Sequence, residues 1–345
     1  MTEINAKPPW VECPTVYIDL EHPVQSRYAN LPDYLLKASR CLLDTITDAI
    51  PKKIDPIADL VRLRTMGRFC GEFHRLGKMV GVKWRRVALA NISYDLLLNR
   101  IGCTTLALPT PDGPVIARNM DWWPEDRLAW ASCLVHYERN GEPCFSNAGW
   151  TGVTGVVTGQ SARGFAVIMN AVCNDEPMAK TGYPVMLHMR RVLEDAQDFE
   201  HALKLLSETK LLAPVLFTLV GSENDQRVVI ERSPRRHALR WAEPNEPLMT
   251  TNDYRLLERP KTSDCCEVFQ TTCDRYRYLD EHFFHTYRAD HTPTDEELLY
   301  TLSDGNVAQS ITAQHVIMHP RSNKIRLFVP RHLLKCAKKK CPGEG

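Results

Sequence analysis

The chain has 345 residues, with 43 Lys and Arg against 42 Asp and Glu, and its net charge of +1 excludes the cationic surplus of a nucleic-acid binder. A hydrophobic fraction of 43% with seven Trp and eleven Tyr fits an ordinary soluble globular protein and excludes a disordered or fibrous one. No run of 18 or more apolar residues occurs, and the opening MTEINAKPPWVECP has no charged-then-apolar leader, so a cytoplasmic protein is expected.

Residues 15–20 (TVYIDL) read as a strand, and helices follow from 31 to 98. In 31–50, Leu35, Leu36, Cys41, Leu42, Ile46 and Ile50 recur at helical spacing. Asp55 and Pro56 suit a helix start, Asp as N-cap and Pro in the first turn, with a helix running towards Gly77–Gly81 and another over 83–98. Beyond 102 the pattern turns to strands at 103–109, 114–118, 131–137, 151–158 and 164–170. Helices are expected at 184–196 and 198–208, then strands at 215–221, 227–232 and 236–242, the last two joined by a turn at 233–236. Helices at 268–284 and 294–303 precede closing strands at 314–319 and 325–329, and the basic tail 335–341 reads as frayed and solvated. Hairpins flanked by helix pairs imply antiparallel sheets covered by helices, an α+β layered domain without repeats or linkers. Twelve cysteines at irregular spacing do not make a disulfide framework, and most are expected to be small buried apolar residues in a reducing compartment.

Pro111-Asp112-Gly113 carries strong turn chemistry: Pro presets φ, Asp bonds its own backbone, and Gly accepts positive φ. The flanking apolar runs should pair as a hairpin whose partner positions sum to about 223–224 for a loop of two to four residues. Cys103 then lies opposite Met120 or Asp121, with Arg118 one or two positions away. A cation beside the thiol favours thiolate, and a carboxylate can orient an ammonium or hydroxyl. On this stretch alone, a structural strand cysteine and a salt bridge at a strand end fit equally well.

Cys103-Thr104-Thr105-Leu106-Ala107 followed by Arg118-Asn119-Met120-Asp121 resembles the amide hydrolases related to choloylglycine hydrolase and penicillin V acylase, N-terminal-nucleophile enzymes that use Cys. The match is closer to the branch containing N-acylethanolamine acid amidase and acid ceramidase, where the nucleophile lies inside the chain behind a helical segment. Tyr17-Ile18-Asp19-Leu20, Ala90-Asn91-Ile92-Ser93-Tyr94, Thr158-Gly159-Gln160-Ser161, Thr251-Asn252-Asp253-Tyr254 and Val316-Ile317-Met318 carry the same resemblance over roughly 15–330.

The resemblance implies an αββα sandwich with an N-terminal helical segment, divided into 1–102 and 103–345 by self-cleavage at Gly102–Cys103. It implies hydrolysis of the linear amide of an N-acylated small molecule, with a fatty acyl chain favoured and no cofactor. Cys103 would be the nucleophile and its freed α-amine, of ordinary pKa near 7.7–8.0, the base. Asp121 would hold the ammonium, Arg118 would support the nucleophile, Asn252 would donate to the oxyanion, and Arg275 matches a late site arginine or else a helix-surface one. Trp122, Trp123 and Trp150 fit an acyl pocket or plain core packing equally well. Asn170 and Ala171 stand where the branch places acidic residues; Asn170 either aids the oxyanion or ends a strand. A helical face in 31–80 could meet a membrane surface, although most amphipathic helices cover a core.

Two other readings remain. The same fold could pass the acyl group to an amine instead of water, which water exclusion decides. A zinc module on Cys265, Cys266 and Cys273, or on Cys336 and Cys341, is disfavoured because no paired C-x₂-C occurs.

Overall fold

The computed structural model describes residues 8–97, 101–259, 270–288 and 290–340. Two short strands, β1 (Trp10–Glu12) and β2 (Thr15–Asp19), lead into five helices: α1 (Asp33–Asp48), α2 (Ile57–Arg64), α3 (Cys70–Val80), α4 (Trp84–Ala90) and α5 (Ser93–Leu96). The α1 stripe is buried as its spacing demands, through Leu35, Leu42, Leu43 and Ile46.

The long helix expected from Asp55 is broken. Met66 and Gly67 take φ of 49° and 74°, conformations a right-handed helix cannot propagate through, so α2 stops at Arg64 and α3 restarts at Cys70. Asp55 makes no cap; its carboxylate accepts from Arg86 Nη1 at 2.8 Å, the charged donor winning over a backbone amide. The helix expected over 83–98 is likewise split into α4 and α5. Between them Asn91 donates back to Val87 O at 2.8 Å and accepts from Gly155 N at 2.7 Å, tying this segment to a later loop.

The rest of the chain alternates strands and helices: β3 (Ile101–Leu108), β4 (Val115–Trp122), α6 (Glu125–Ala131), β5 (Ser132–Arg139), β6 (Glu142–Trp150), β7 (Thr158–Ser161), β8 (Phe165–Asn170), α7 (Val185–Asp195), α8 (Phe199–Glu208), β9 (Val215–Val220), β10 (Arg227–Arg232), β11 (His237–Trp241), β12 (Leu248–Thr250), α9 (Thr272–Thr286), α10 (Asp295–Ser303), β13 (Thr312–His319), β14 (Lys324–Pro330) and α11 (Arg331–Lys340). The strand expected at 151–158 is displaced: the pleated run is Glu142–Trp150, and 151–157 is a loop. Gly155 in that loop sits where a Cβ would meet the Met186 Cβ at 2.8 Å, so glycine there serves the approach of α7. The tail is not frayed in backbone: α11 is helical to Lys340, and Leu333 packs on Ala129 and Val329, while Cys341 lies outside the described residues.

Two sheets result, one ordered β1-β14-β13-β4-β3-β12 and the other β11-β10-β9-β8-β7-β6-β5-β2. Their inner faces share a core of Ala107, Ile116 and Val316 against Ala148, Ile168 and Leu216. On the outer face of the larger sheet, Val185, Leu193 and Leu206 of α7 and α8 pack with Phe217 and Ile230. On the outer face of the smaller one, Leu279, Phe283 and Leu302 of α9 and α10 pack with Leu106 and Ala117. This is the helix–sheet–sheet–helix layering expected, and α1 and α3 join the same core as the larger sheet. The expectation that most cysteines are buried is corrected: of the seven described free thiols only Cys103 and Cys133 are buried, Cys13, Cys70, Cys144 and Cys173 are half-buried, Cys273 is exposed, and Cys41 is disulfide-bonded. Among the described residues no helix is long and apolar enough to cross a membrane.

Candidate active site

The β3–β4 register pairs Cys103 with Met120, Gly102 with Asp121 and Thr105 with Arg118, every pair summing to 223 as the turn chemistry requires. The loop is longer than expected, since the ladder ends at Leu108 and Val115. Thr110 closes it: its carbonyl accepts from Gly113 N at 3.1 Å, its hydroxyl donates to Gly113 O at 2.5 Å, and Gly113 takes φ 96°. Because strand side chains alternate, Cys103, Thr105 and Arg118 share the inner face, whereas Asp121 lies on the other. Cys103 and Arg118 are therefore neighbours on one surface, and Asp121 reaches the region from behind the sheet.

Arg118 Nη2 donates to Cys103 Sγ at 2.7 Å. Its other nitrogens are anchored on neutral acceptors: Thr158 Oγ1 at 2.8 Å, Val157 O at 3.2 Å, Met169 O at 3.3 Å and Asn119 O at 3.3 Å. Cys103 is 1% exposed, and this corrects the thiolate expected from the cation alone. Burial pushes the thiol up, Asp121 adds to the rise, and Arg118, the Ala171 N–H and Arg275 pull the other way without overcoming it.

The backbone of Cys103 is gripped as well. Its N–H donates to Asn252 Oδ1 at 3.1 Å, and its carbonyl accepts from Arg275 Nη1 at 2.7 Å. Arg275 also donates to Thr104 Oγ1 and, through Nη2, to Asn252 Oδ1, both at 2.7 Å. It is 1% exposed, which removes the helix-surface alternative. Asn252 does not hold its amide open: Nδ2 donates to Ala171 O at 2.8 Å. One oxygen of Asp121 accepts from Thr312 Oγ1 at 2.6 Å, while the buried Oδ2 has no hydrogen-bond partner among the described residues. Burial pushes the Asp121 carboxyl up, against Arg275, Thr312 and Arg118.

Asn170 is spent on architecture. Its Oδ1 accepts from Thr105 Oγ1 at 2.8 Å and its Nδ2 donates to Thr250 O and Thr251 O at 3.1 and 3.0 Å, pinning β8 to β3 and β12. Trp122 and Trp150 are both buried, edge to face at 5.8 Å, in the cluster that includes Cys103 and Met120, and the Trp150 indole donates to Leu128 O at 3.0 Å. Thr158, Thr104 and the Met169 carbonyl escaped the sequence reading. Thr158 stands in a motif that was noted, but nothing local says that its hydroxyl holds a guanidinium across the sheets.

Among the described residues no group of three or more His, Cys, Asp or Glu could hold a metal ion. Cys265, Cys266 and Cys341, with the Cys336 side chain, lie outside the described residues.

Residues 108–306 match the family model described as acyl-coenzyme A:6-aminopenicillanic acid acyl-transferase. The chain is similar to the N-acylethanolamine-hydrolyzing acid amidase of Caenorhabditis elegans, 24% identical over 247 residues, which cover 66% of this chain and 68% of that protein. It is similar to the acid ceramidase of Balaenoptera acutorostrata scammoni, 23% identical over 257 residues, 64% of this chain and 63% of that one, and so spans less than two thirds of that relative. A solved structure of the Caenorhabditis elegans amidase ortholog superposes with a TM-score of 0.52 at 19% identity, covering 64% of this chain and 93% of the other, which shows a common fold. With more than half of its length inside that family model, the chain belongs to the acyl-coenzyme A:6-aminopenicillanic acid acyl-transferase family, whose fold is that of the N-terminal-nucleophile hydrolases.

Proposed function

We propose that this member of the family hydrolyses the linear amide of an N-acylated small molecule, with a fatty acyl chain, through Cys103 freed as an N-terminus by self-cleavage. The observation that carries this reading is the residue whose thiol lies 2.7 Å from a buried guanidinium while Asn252 and Arg275 hold its own N–H and carbonyl.

In the first stage Sγ attacks the Gly102 carbonyl carbon, the bond to the Cys103 nitrogen breaks, and that nitrogen leaves with the thiol proton. Water then hydrolyses the thioester, releasing the Gly102 carboxylate and restoring the thiol. Gly102 presents no side chain to hinder attack. The products are 1–102, largely helical, and 103–345, held together by their common core.

In the second stage the new α-amine takes the thiol proton, since its pKa lies near neutrality. Thiolate attacks the amide carbonyl, the amine departs protonated, and water clears the acyl-thioester. Arg118 supports the sulfur charge, and Asn252 trades Ala171 O for the oxyanion. Asp121, opposite Gly102 with one oxygen unpartnered among the described residues, offers an acceptor to the new ammonium. Trp122 and Trp150 line the acyl side, and the chemistry needs no cofactor.

Intact-mass measurement tests the scheme: fragments of 102 and 243 residues are expected, with Cys103→Ala remaining whole and inactive. Amide hydrolysis by an uncut chain, or by Cys103→Ala, would overturn it. The family description favours one second reading, transfer of the acyl group to an amine. Hydroxylamine competing far better than water as acceptor would select it.

A further inference from the structure

Most arginines here meet carboxylates: Arg27 meets Glu72, Arg68 meets Glu194 and Asp195, Arg86 meets Asp55, and Arg326 meets Glu12 and Asp295. A cluster at the end of α8 departs from that pattern, as Arg118 and Arg227 do singly. Where α8 ends against the β10–β11 hairpin, Lys210, Arg232, Arg235 and His237 line a concavity of about 400 Å³ together with Ser207, Pro234 and a single carboxylate, Glu208. Arg191 approaches from α7, its Nη2 donating to Thr209 Oγ1 at 3.0 Å beside Arg232 Nη2 on Thr209 O at 2.6 Å. Among the described residues none of these four Arg and Lys side chains is ion-paired.

Arg232 is buried, and its Nη1 donates to the Leu206 and Ser207 carbonyls that the end of α8 leaves open. Its buried Nε has no hydrogen-bond partner among the described residues. Burial without a compensating carboxylate pushes this guanidinium down to about 10. Lys210 gives one N–H to Thr181 Oγ1 at 2.6 Å and keeps two. Arg235 and His237 are exposed at the rim. Capping accounts for part of Arg232, yet among the residues that line the concavity Lys210 and Arg235 face Glu208 as the one carboxylate, while Glu176, bonded to Ser233 Oγ in the hairpin turn, is already paired with Arg236.

The pocket is separate from the thiol. In register, Asn170, Leu216 and Glu231 stand side by side on the inner face, so Arg232, one residue on, faces outward beneath α8.

We propose that this concavity binds the phosphate group of a small soluble ligand. A phosphate monoester brings close to two negative charges and three strong acceptor oxygens, which suits several cations opposed by one carboxylate; a single carboxylate group would neutralise less of the surplus.

The probe is inorganic phosphate added to the full chain, followed by ³¹P line broadening and by melting midpoint against sodium chloride at equal ionic strength. Saturable broadening with a saturable rise in midpoint is expected. The Lys210→Ser/Arg235→Ser double variant, exposed at both positions, should raise the half-saturating concentration at least tenfold, and Arg235→Ser alone should raise it by a smaller factor. A response matched by chloride, linear in concentration, or unchanged in the double variant overturns the site. Vesicles of phosphatidylglycerol in phosphatidylcholine separate a lipid headgroup from a soluble phosphate. No co-sedimentation supports the proposal; vesicle binding that phosphate displaces assigns the site to a lipid headgroup and overturns the soluble ligand, and vesicle binding that phosphate does not displace overturns it as well.

Discussion

Arg118 and Arg190 are both fully buried, and their surroundings differ in kind. Arg190 is neutralised: Glu194 takes its Nε, Glu72 lies 3.6 Å from Nη2, and the rings of Tyr137 and Phe145 stand 4.0 and 4.8 Å from its guanidinium carbon. Those partners join α3 to the larger sheet and to α7, so this charge works as mortar between the helical segment and the rest. Among the described residues Arg118 is hydrogen-bonded only to neutral acceptors and to a thiol, so its charge is available to a negative charge that develops later. A buried cation already paired is committed to stability, whereas one bound by dipoles alone is prepared for chemistry.

The contrast breaks most visibly at Arg190. Arg190→Met should cost about 1.5–3 kcal/mol of unfolding free energy, because Glu72 and Glu194 lose their buried partner and keep only Arg27 and Arg68 as cations. Chemical denaturation measures it, and a loss below 1 kcal/mol would deny Arg190 its structural part. The fraction that stays folded should keep its kcat.

Arg118→Met and Asn252→Ala should show the reverse. Each is expected to lower kcat by about 10²–10³ in material already shown by mass to be cut, with less loss of melting midpoint than Arg190→Met. Unchanged kcat in either variant would remove that residue from the reaction.

Asp95 sharpens the picture with a buried group of the opposite sign. Burial raises its carboxyl from the ordinary 3.8 to about 7, with Oδ1 accepting from Val185 N at 3.2 Å and Oδ2 without a partner among the described residues. The folded chain therefore holds this proton more tightly than the unfolded one. Stability is greatest below pH 4 as far as this group is concerned, and it falls by up to about 1.4 kcal/mol per pH unit until about pH 7. Asp95→Asn should flatten that slope in a series of melting curves, and an unaltered slope would assign the pH dependence elsewhere.

The smallest effect belongs to the exposed Thr294, which caps α10 reciprocally with Glu297. Thr294→Ala should cost about 1 kcal/mol by denaturation and leave kcat untouched.

How much of this was legible depends on the range of the interaction. Pro111-Asp112-Gly113 acts over a few residues, and it correctly announced a hairpin whose register seats Arg118 beside Cys103. The same local logic located both helices of the α7–α8 pair and the β10–β11 turn. It failed where a local pattern competes with packing. Asp55 looked like a cap until Arg86 drew it away, and the glycines after Trp150 looked like strand although they make room for helices. Asn252 and Arg275 entered the reading only through family resemblance, for nothing nearby says that they close on a residue 149 and 172 positions earlier.

Residue order alone settled the layered α+β class, the hairpin, and the pairing of thiol with guanidinium, because turn geometry and side-chain periodicity are properties of short segments. Tertiary structure decided which face Asp121 occupies, that the thiol is sealed and its pKa pushed up by burial, and which buried arginine is neutralised by carboxylates and which is not. Those outcomes depend on what solvent exclusion leaves beside each charge, and segments distant in sequence supply it only after the sheets have closed.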